Sequence, residues 1–255
     1  MEQGGYIARR ALGLVLAALM LVAEQATAGL PGELGELEQR LMTAHYRADG
    51  AALEAGRQQA LGLAGAGDSG FFAGYLAAWA SYRLAEVHQS DRNRARDLLN
   101  TCIDELTALV EGRSGAMAAE GHALLATCYG NSAAYYRPPR VIMRGTRSQR
   151  SLDQALALAP DNPRVILQDA LSDYSRPAVF GGDVDRAAIK LERAVELFGA
   201  GQVAGGLSWG EADAWLFLAK IRAAAGDGSG ARSAAERALA LAPGYKKVEE
   251  VLEKL

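Results

Sequence analysis

From residue 33 onward, apolar side chains recur at steps of three and four almost without a break, and no stretch alternates apolar with polar residues on a β-branched background. That period confines the chain to an all-α fold. Within residues 94–110, Leu98, Leu99, Cys102, Ile103, Leu106, Leu109 and Val110 form one stripe. Ala187, Ala188, Leu191, Ala194, Val195 and Phe198 form another. A stripe on one helix has to be buried against another helix, and a chain of 255 residues that is 50% hydrophobic has material for a sizeable core.

Start and stop signals cut this pattern into helix pairs. Ser69, Ser114 and Ser208 stand where N-caps belong, the last in a capping box, SWGE, with Glu211 as its reciprocal partner. Asn162 followed by Pro163 reads as a cap with proline in the first helical position, where its missing amide costs nothing. Turns such as EGRSG, APDNP, GAGQVAGG and AGDGSG separate the helices, and connections this short make neighbours antiparallel.

Residues 213–245, DAWLFLAKIRAAAGDGSGARSAAERALALAPGY, resemble a tetratricopeptide unit. Trp215, Leu218 and Ala219 hold first-helix packing positions, Gly226 the turn, Ala231, Ala235 and Ala238 the second helix, and Pro243 its end. Leu152, Ala155 and Pro160 repeat the second half of the unit. The spacing from Pro160 to Pro243 exceeds two periods, and SRPAVFGGD and FGAGQVAGGLS are where the extra residues fit. The resemblance implies an α-solenoid of antiparallel helix pairs wound as a right-handed superhelix. Four segments follow: 1–28 a signal peptide, 29–46 a leader helix, 47–130 degenerate helical repeats, and 131–255 tetratricopeptide-like repeats with an inserted loop near 175–183.

The first segment has the three parts of a secretory signal: Arg9 and Arg10, an uncharged run over residues 11–23, and small residues at Ala26 and Ala28. The run is too short to span a bilayer, no cysteine lies near the cut to carry a lipid, and the mature chain is expected to begin near Gly29 in the periplasm or outside the cell. A net charge of -3 argues against nucleic acid as a partner. Cys102 and Cys128 lie on apolar stripes, so an inter-helix bridge and two buried thiols both suit an exported chain.

Nothing in the sequence assembles a catalytic or cofactor motif. GDSG at residues 67–70 matches a protease serine in letters only, because its surroundings are helical and His45, His88 and His122 lie in no local motif. GDGSG lacks the further carboxylates of a calcium loop and reads as a turn. Phe71, Phe72, Tyr75, Trp79 and Tyr82 form a core stripe. The expectation is a chain with no cofactor, no metal and no enzymatic activity.

Two stretches stand apart. In SRPAVFGGDVDR, Asp183 reads as an N-cap with Asp185 in the first turn, and Gly181 and Gly182 permit the entry; an exposed ligand-contacting loop is the other reading. The longer segment from Asn162 to Phe198 is similar to one found in many bacterial exported tetratricopeptide proteins, which implies a structural joint. YYRPPRVIMRGTRSQR, residues 135–150, carries five arginines and no acid, as a solvated connector and exposed helix face or as a cationic patch for an acidic partner segment.

The function expected is an exported scaffold that holds a protein or peptide partner in a concave groove, through Asn131, Tyr135, Tyr136, Arg137, Arg140, Arg164, Tyr174 and Phe180. A small-ligand accessory, similar to the tetratricopeptide T-component of periplasmic tripartite transporters, is the alternative.

Overall fold

The computed structural model describes Leu30, residues 32–201 and residues 206–255. The signal-peptide reading and the centre of the GAGQVAGG turn lie outside these residues. Among the described residues the regular structure is all helical, with eleven α-helices: α1 Gly32–Tyr46, α2 Gly50–Leu63, α3 Gly67–Val87, α4 Arg92–Val110, α5 Gly115–Ala133, α6 Arg140–Leu158, α7 Pro163–Ser175, α8 Val184–Gly199, α9 Glu211–Ala224, α10 Gly228–Leu241 and α11 Lys246–Leu252. Each helix packs on the next, and α1 with α3, α3 with α5, α5 with α7 and α9 with α11 also touch. This is the arrangement of a solenoid-like stack of helix pairs. Among the described residues, no helix is long and apolar enough to cross a membrane.

The second helices of four pairs begin with the same device. Asp49, Asp91, Asp183 and Asp227 are the N-caps of α2, α4, α8 and α10, each carboxylate accepting a hydrogen bond from the amide three residues on. The carboxylate satisfies an orphan N–H and sits at the positive end of the helix dipole. Helix α6 departs from the series, starting after Pro139 without a side-chain cap.

The alanines singled out in the repeat lie in the core. Ala219 on α9 and Ala231, Ala235 and Ala238 on α10 are fully buried. Helix α3 is buried along almost its whole length, so the stripe from Phe71 to Tyr82 is core. Cys102 on α4 and Cys128 on α5 are joined in a disulfide with Cα atoms 6.3 Å apart, which decides between the two readings of the pair.

Two predicted caps are corrected. Helix α3 starts at Gly67 with Ala66 as its N-cap, so Ser69 lies inside the helix. Helix α9 starts at Glu211 after Gly210, whose φ of 117° lies where side chains are strained. That makes Glu211 the first helical residue instead of the third, and the capping box cannot close. Ser208 faces α1 instead, its amide donating to Glu38 Oε1 at 2.7 Å and its hydroxyl accepting from Gln39 Nε2 at 3.0 Å. Ser114 does precede α5, without a side-chain cap bond.

Candidate functional site

Buried side chains of α1, α3 and α9 meet in the interior. Asp213, near the start of α9, accepts hydrogen bonds from Arg83 Nη2 on α3 at 2.7 Å and from the Tyr245 hydroxyl at 2.5 Å. His45 Nε2 on α1 lies 3.2 Å from that hydroxyl. Arg83 also pairs with Glu86 at 3.1 Å, and Glu86 with Lys247 of α11 at 3.1 Å. First and last repeats are thereby joined across the interior.

Charge stays in this interior because each group has an opposite partner. Burial alone would raise the Asp213 carboxyl, but Arg83, His45 and Tyr245 together hold it well below the usual carboxylate range. Burial likewise opposes ionisation of Glu86, and Arg83, Lys247 and His45 hold it down to about 2. Burial, then the charge of Arg83, lowers the His45 pKa. Burial raises Glu38, although its carboxylate receives the amides of Ser208 and Trp209.

Arg164 belongs to the same interior. It is fully buried, its guanidinium 3.0 Å from both carboxylate oxygens of Glu120 through Nε and 2.8 Å from Oε1 through Nη2, with Nη1 donating to the Leu207 carbonyl at 2.8 Å. Asn162 caps α7 and donates to the same Glu120 at 2.6 Å. The expectation that Arg164 contacts a partner is therefore corrected: the proline-started turn aims it inward at α5, and the ion pair keeps it there. Trp79 and Trp209 have ring centroids 6.0 Å apart, and the Arg83 guanidinium lies over both, 4.9 and 5.8 Å from the two rings. Among the described residues the Tyr75 hydroxyl, both indole N–H groups and Arg83 Nε are buried without a hydrogen-bond partner.

The joint between α7 and α8 is built differently. Asp183 caps α8 through the Arg186 amide at 2.9 Å, as the sequence predicts, and its own amide donates to the Asp173 carbonyl at 3.0 Å. Asp173 accepts two bonds from the Arg186 guanidinium at 2.6 Å and one from Lys190 at 2.7 Å, while Arg186 also holds the Gly181 carbonyl at 2.7 Å. Gly181 has φ of 87°, and a Cβ on Gly182 would lie 1.7 Å from the Arg176 carbonyl oxygen. Only glycines close this turn. Its single 3-10 turn, Ala178–Phe180, holds Val179 84% and Phe180 68% exposed. These bonds hold the turn with both side chains in solvent.

Helix α6 lies beside it. Ser148, Leu152 and Ala155 face inward, while Arg140, Met143, Arg147 and Arg150, at steps of three and four, form an exposed row with Ile142 next to it. Arg176, at the end of α7, donates to Gln149 Oε1 on α6 at 2.8 Å, which joins the row to the joint.

The remaining sequence candidates scatter around these two places. Arg137 and Arg140 are exposed at the start of α6. Tyr136 is half-buried, bonded to Asn100 and stacked with Arg144 at 4.5 Å, and Tyr135 lies under Arg92 at 5.1 Å. Asn131 is exposed and bonded to its own helix through the Thr127 carbonyl. Tyr174 points to α9, its ring 5.2 Å from Phe217. Arg137, Arg140 and Phe180 are exposed, as are Ile142, Met143, Arg147, Arg150 and Val179, all within the two stretches the sequence singles out, and the Arg176–Gln149 bond ties those stretches together. The sequence reading passed over Glu120 and Arg83, whose signal was a lone charge inside an otherwise apolar helix stretch.

No family model matches the chain, and no curated protein matches it. Among solved structures it is similar to the HusA haemophore from Porphyromonas gingivalis, with a TM-score of 0.55 and 24% identity over 76% of this chain and 96% of that one. That likeness is one of fold. BtubC (BKLC) from P. vanneervenii aligns over 98% of this chain and 88% of its own at 17% identity, with a TM-score of 0.34.

Proposed function

We propose that this chain is an exported, non-catalytic helical scaffold that binds a protein or peptide partner on its outer side, at the joint between α7 and α8. The observation that carries the reading is the braced turn that keeps Val179 and Phe180 in solvent. Exposed apolar side chains on a rigid loop cost hydration free energy in the free protein and recover it when a partner covers them. The groove expected from a solenoid is the less favoured place, because Arg83, Asp213 and Tyr245 already occupy the inner side of α3 and α9. Export rests on the three-part pattern of residues 1–28.

A photo-crosslinking residue in place of Phe180, in the full chain expressed in an exporting bacterium, tests this. A discrete adduct with one envelope protein, not formed from the exposed position Arg232 on α10, is expected. Equal labelling from both positions, or none from either, sinks it.

A small-ligand accessory is the second reading, and the buried donors of Tyr75, Trp79, Trp209 and Arg83 favour it. HusA is a haemophore, so haem belongs in the ligand panel. A rise of several degrees in Tm with one small molecule, lost in Trp209→Phe, would move the function to the interior.

A further inference from the structure

We infer that the joint and the outer row of α6 form one docking surface for an acidic, amphipathic segment of a protein, with its carboxylates on the arginines and an apolar side chain against Val179 and Phe180. This rests on the reading of the joint as a binding site and names the class of partner.

The charge on this surface is not neutralised from within. No acidic residue occurs between Glu120 and Asp153. Among the described residues Arg137, Arg140, Arg147, Arg150 and Arg176 form no ion pair, whereas Arg57, Arg83, Arg164, Arg186 and Arg222 do. Arg176 is held by neutral acceptors only, Gln149 and the Ser172 hydroxyl. On a chain of net charge -3, such a concentration of guanidinium groups selects for carboxylate, which the planar fork binds in two-point fashion.

Helix α6 presents the row over about 15 Å, at 1.5 Å per residue, roughly three turns of a facing helix with an acid at every third or fourth position. Ile142, Met143, Val179 and Phe180 supply the apolar contacts. An anionic lipid surface fits less well. A plane seated on the tip would also press on Asp185 and on Asp183, both exposed at the start of α8, while a segment can run along the arginines and end at the tip. The missing aspartate cap on α6 is consistent with a helix start given over to arginine and proline.

Random 16-residue peptides displayed on phage and selected on the full chain provide a readout that presumes no sequence. The expected clones carry an excess of Asp and Glu with a large apolar residue toward one end. As fluorescein-labelled peptides they should bind with micromolar Kd, weaken at least tenfold on Arg147→Glu with Arg150→Glu, weaken similarly on Phe180→Ser, and weaken severalfold between 50 and 300 mM salt. All three positions are exposed, and thermal melts of the variants confirm that they fold. Clones without acidic excess, or clones indifferent to these substitutions, overturn the inference. So does an empty selection, including one in which phosphatidylglycerol vesicles sediment the protein. A Phe180 crosslink obtained alongside a failed selection leaves the proposed function standing and removes only the acidic partner; loss of both removes both.

Discussion

Replacing Asp213 by asparagine removes one charge and almost no volume, so the cost isolates the electrostatic joint between the first and last repeats. Asp213 is 3% exposed and receives Arg83 at 2.7 Å and Tyr245 at 2.5 Å. With the carboxylate gone, Glu86 is the ionic partner left to Arg83 among the described residues. Breaking a buried pair by neutralising one partner costs about 3–5 kcal/mol, because the remaining charge stays desolvated. For a folded region of this size each kcal/mol lowers Tm by about 2–4 °C, so a fall of about 6–20 °C is expected. Differential scanning calorimetry at pH 7 with urea titration measures it. Arg83→Met combined with Asp213→Leu removes both charges and should recover most of the loss. A loss under about 1 kcal/mol in Asp213→Asn, or a double variant worse than the single one, would refute the view that the repeats are joined through this ion pair.

Other perturbations probe the same packing. The Tyr75 hydroxyl is buried with no hydrogen bond of normal geometry, only the Trp209 indole beside it, so Tyr75→Phe should be neutral or stabilising by up to about 1 kcal/mol, and a clear loss in urea denaturation would show that the hydroxyl is engaged. The Cys102–Cys128 bond closes a segment of 26 residues, so Cys102→Ala with Cys128→Ala should cost about 3.5 kcal/mol, less if the unfolded chain stays compact. His45 has a folded pKa below its unfolded 6.5, so the unfolded chain binds the extra proton and stability falls as pH drops through 6.5. Asp213 and Glu86 remain ionised over that range, with Glu86 titrating only near pH 2. His45→Gln should flatten the stability profile between pH 7 and 5, and an unchanged slope would place the titration elsewhere.

The amino-acid order by itself determined the helices, the caps at Asn162 and Asp183, and the alanine contacts of α9 with α10, since each depends on residues within a few positions of one another. It went wrong where a single backbone angle mattered: Gly210 at positive φ shifts the start of α9 and turns Ser208 from a cap into a contact of α1. Only the tertiary structure decided what faces inward and what stays wet. Arg83 and Asp213 are separated by 130 residues and Arg164 and Glu120 by 44, so their pairing exists only once the repeats are stacked. The exposure of Val179 and Phe180 was one of two readings of the sequence, and the turn set by Asp173, Arg186 and two glycines decides for it.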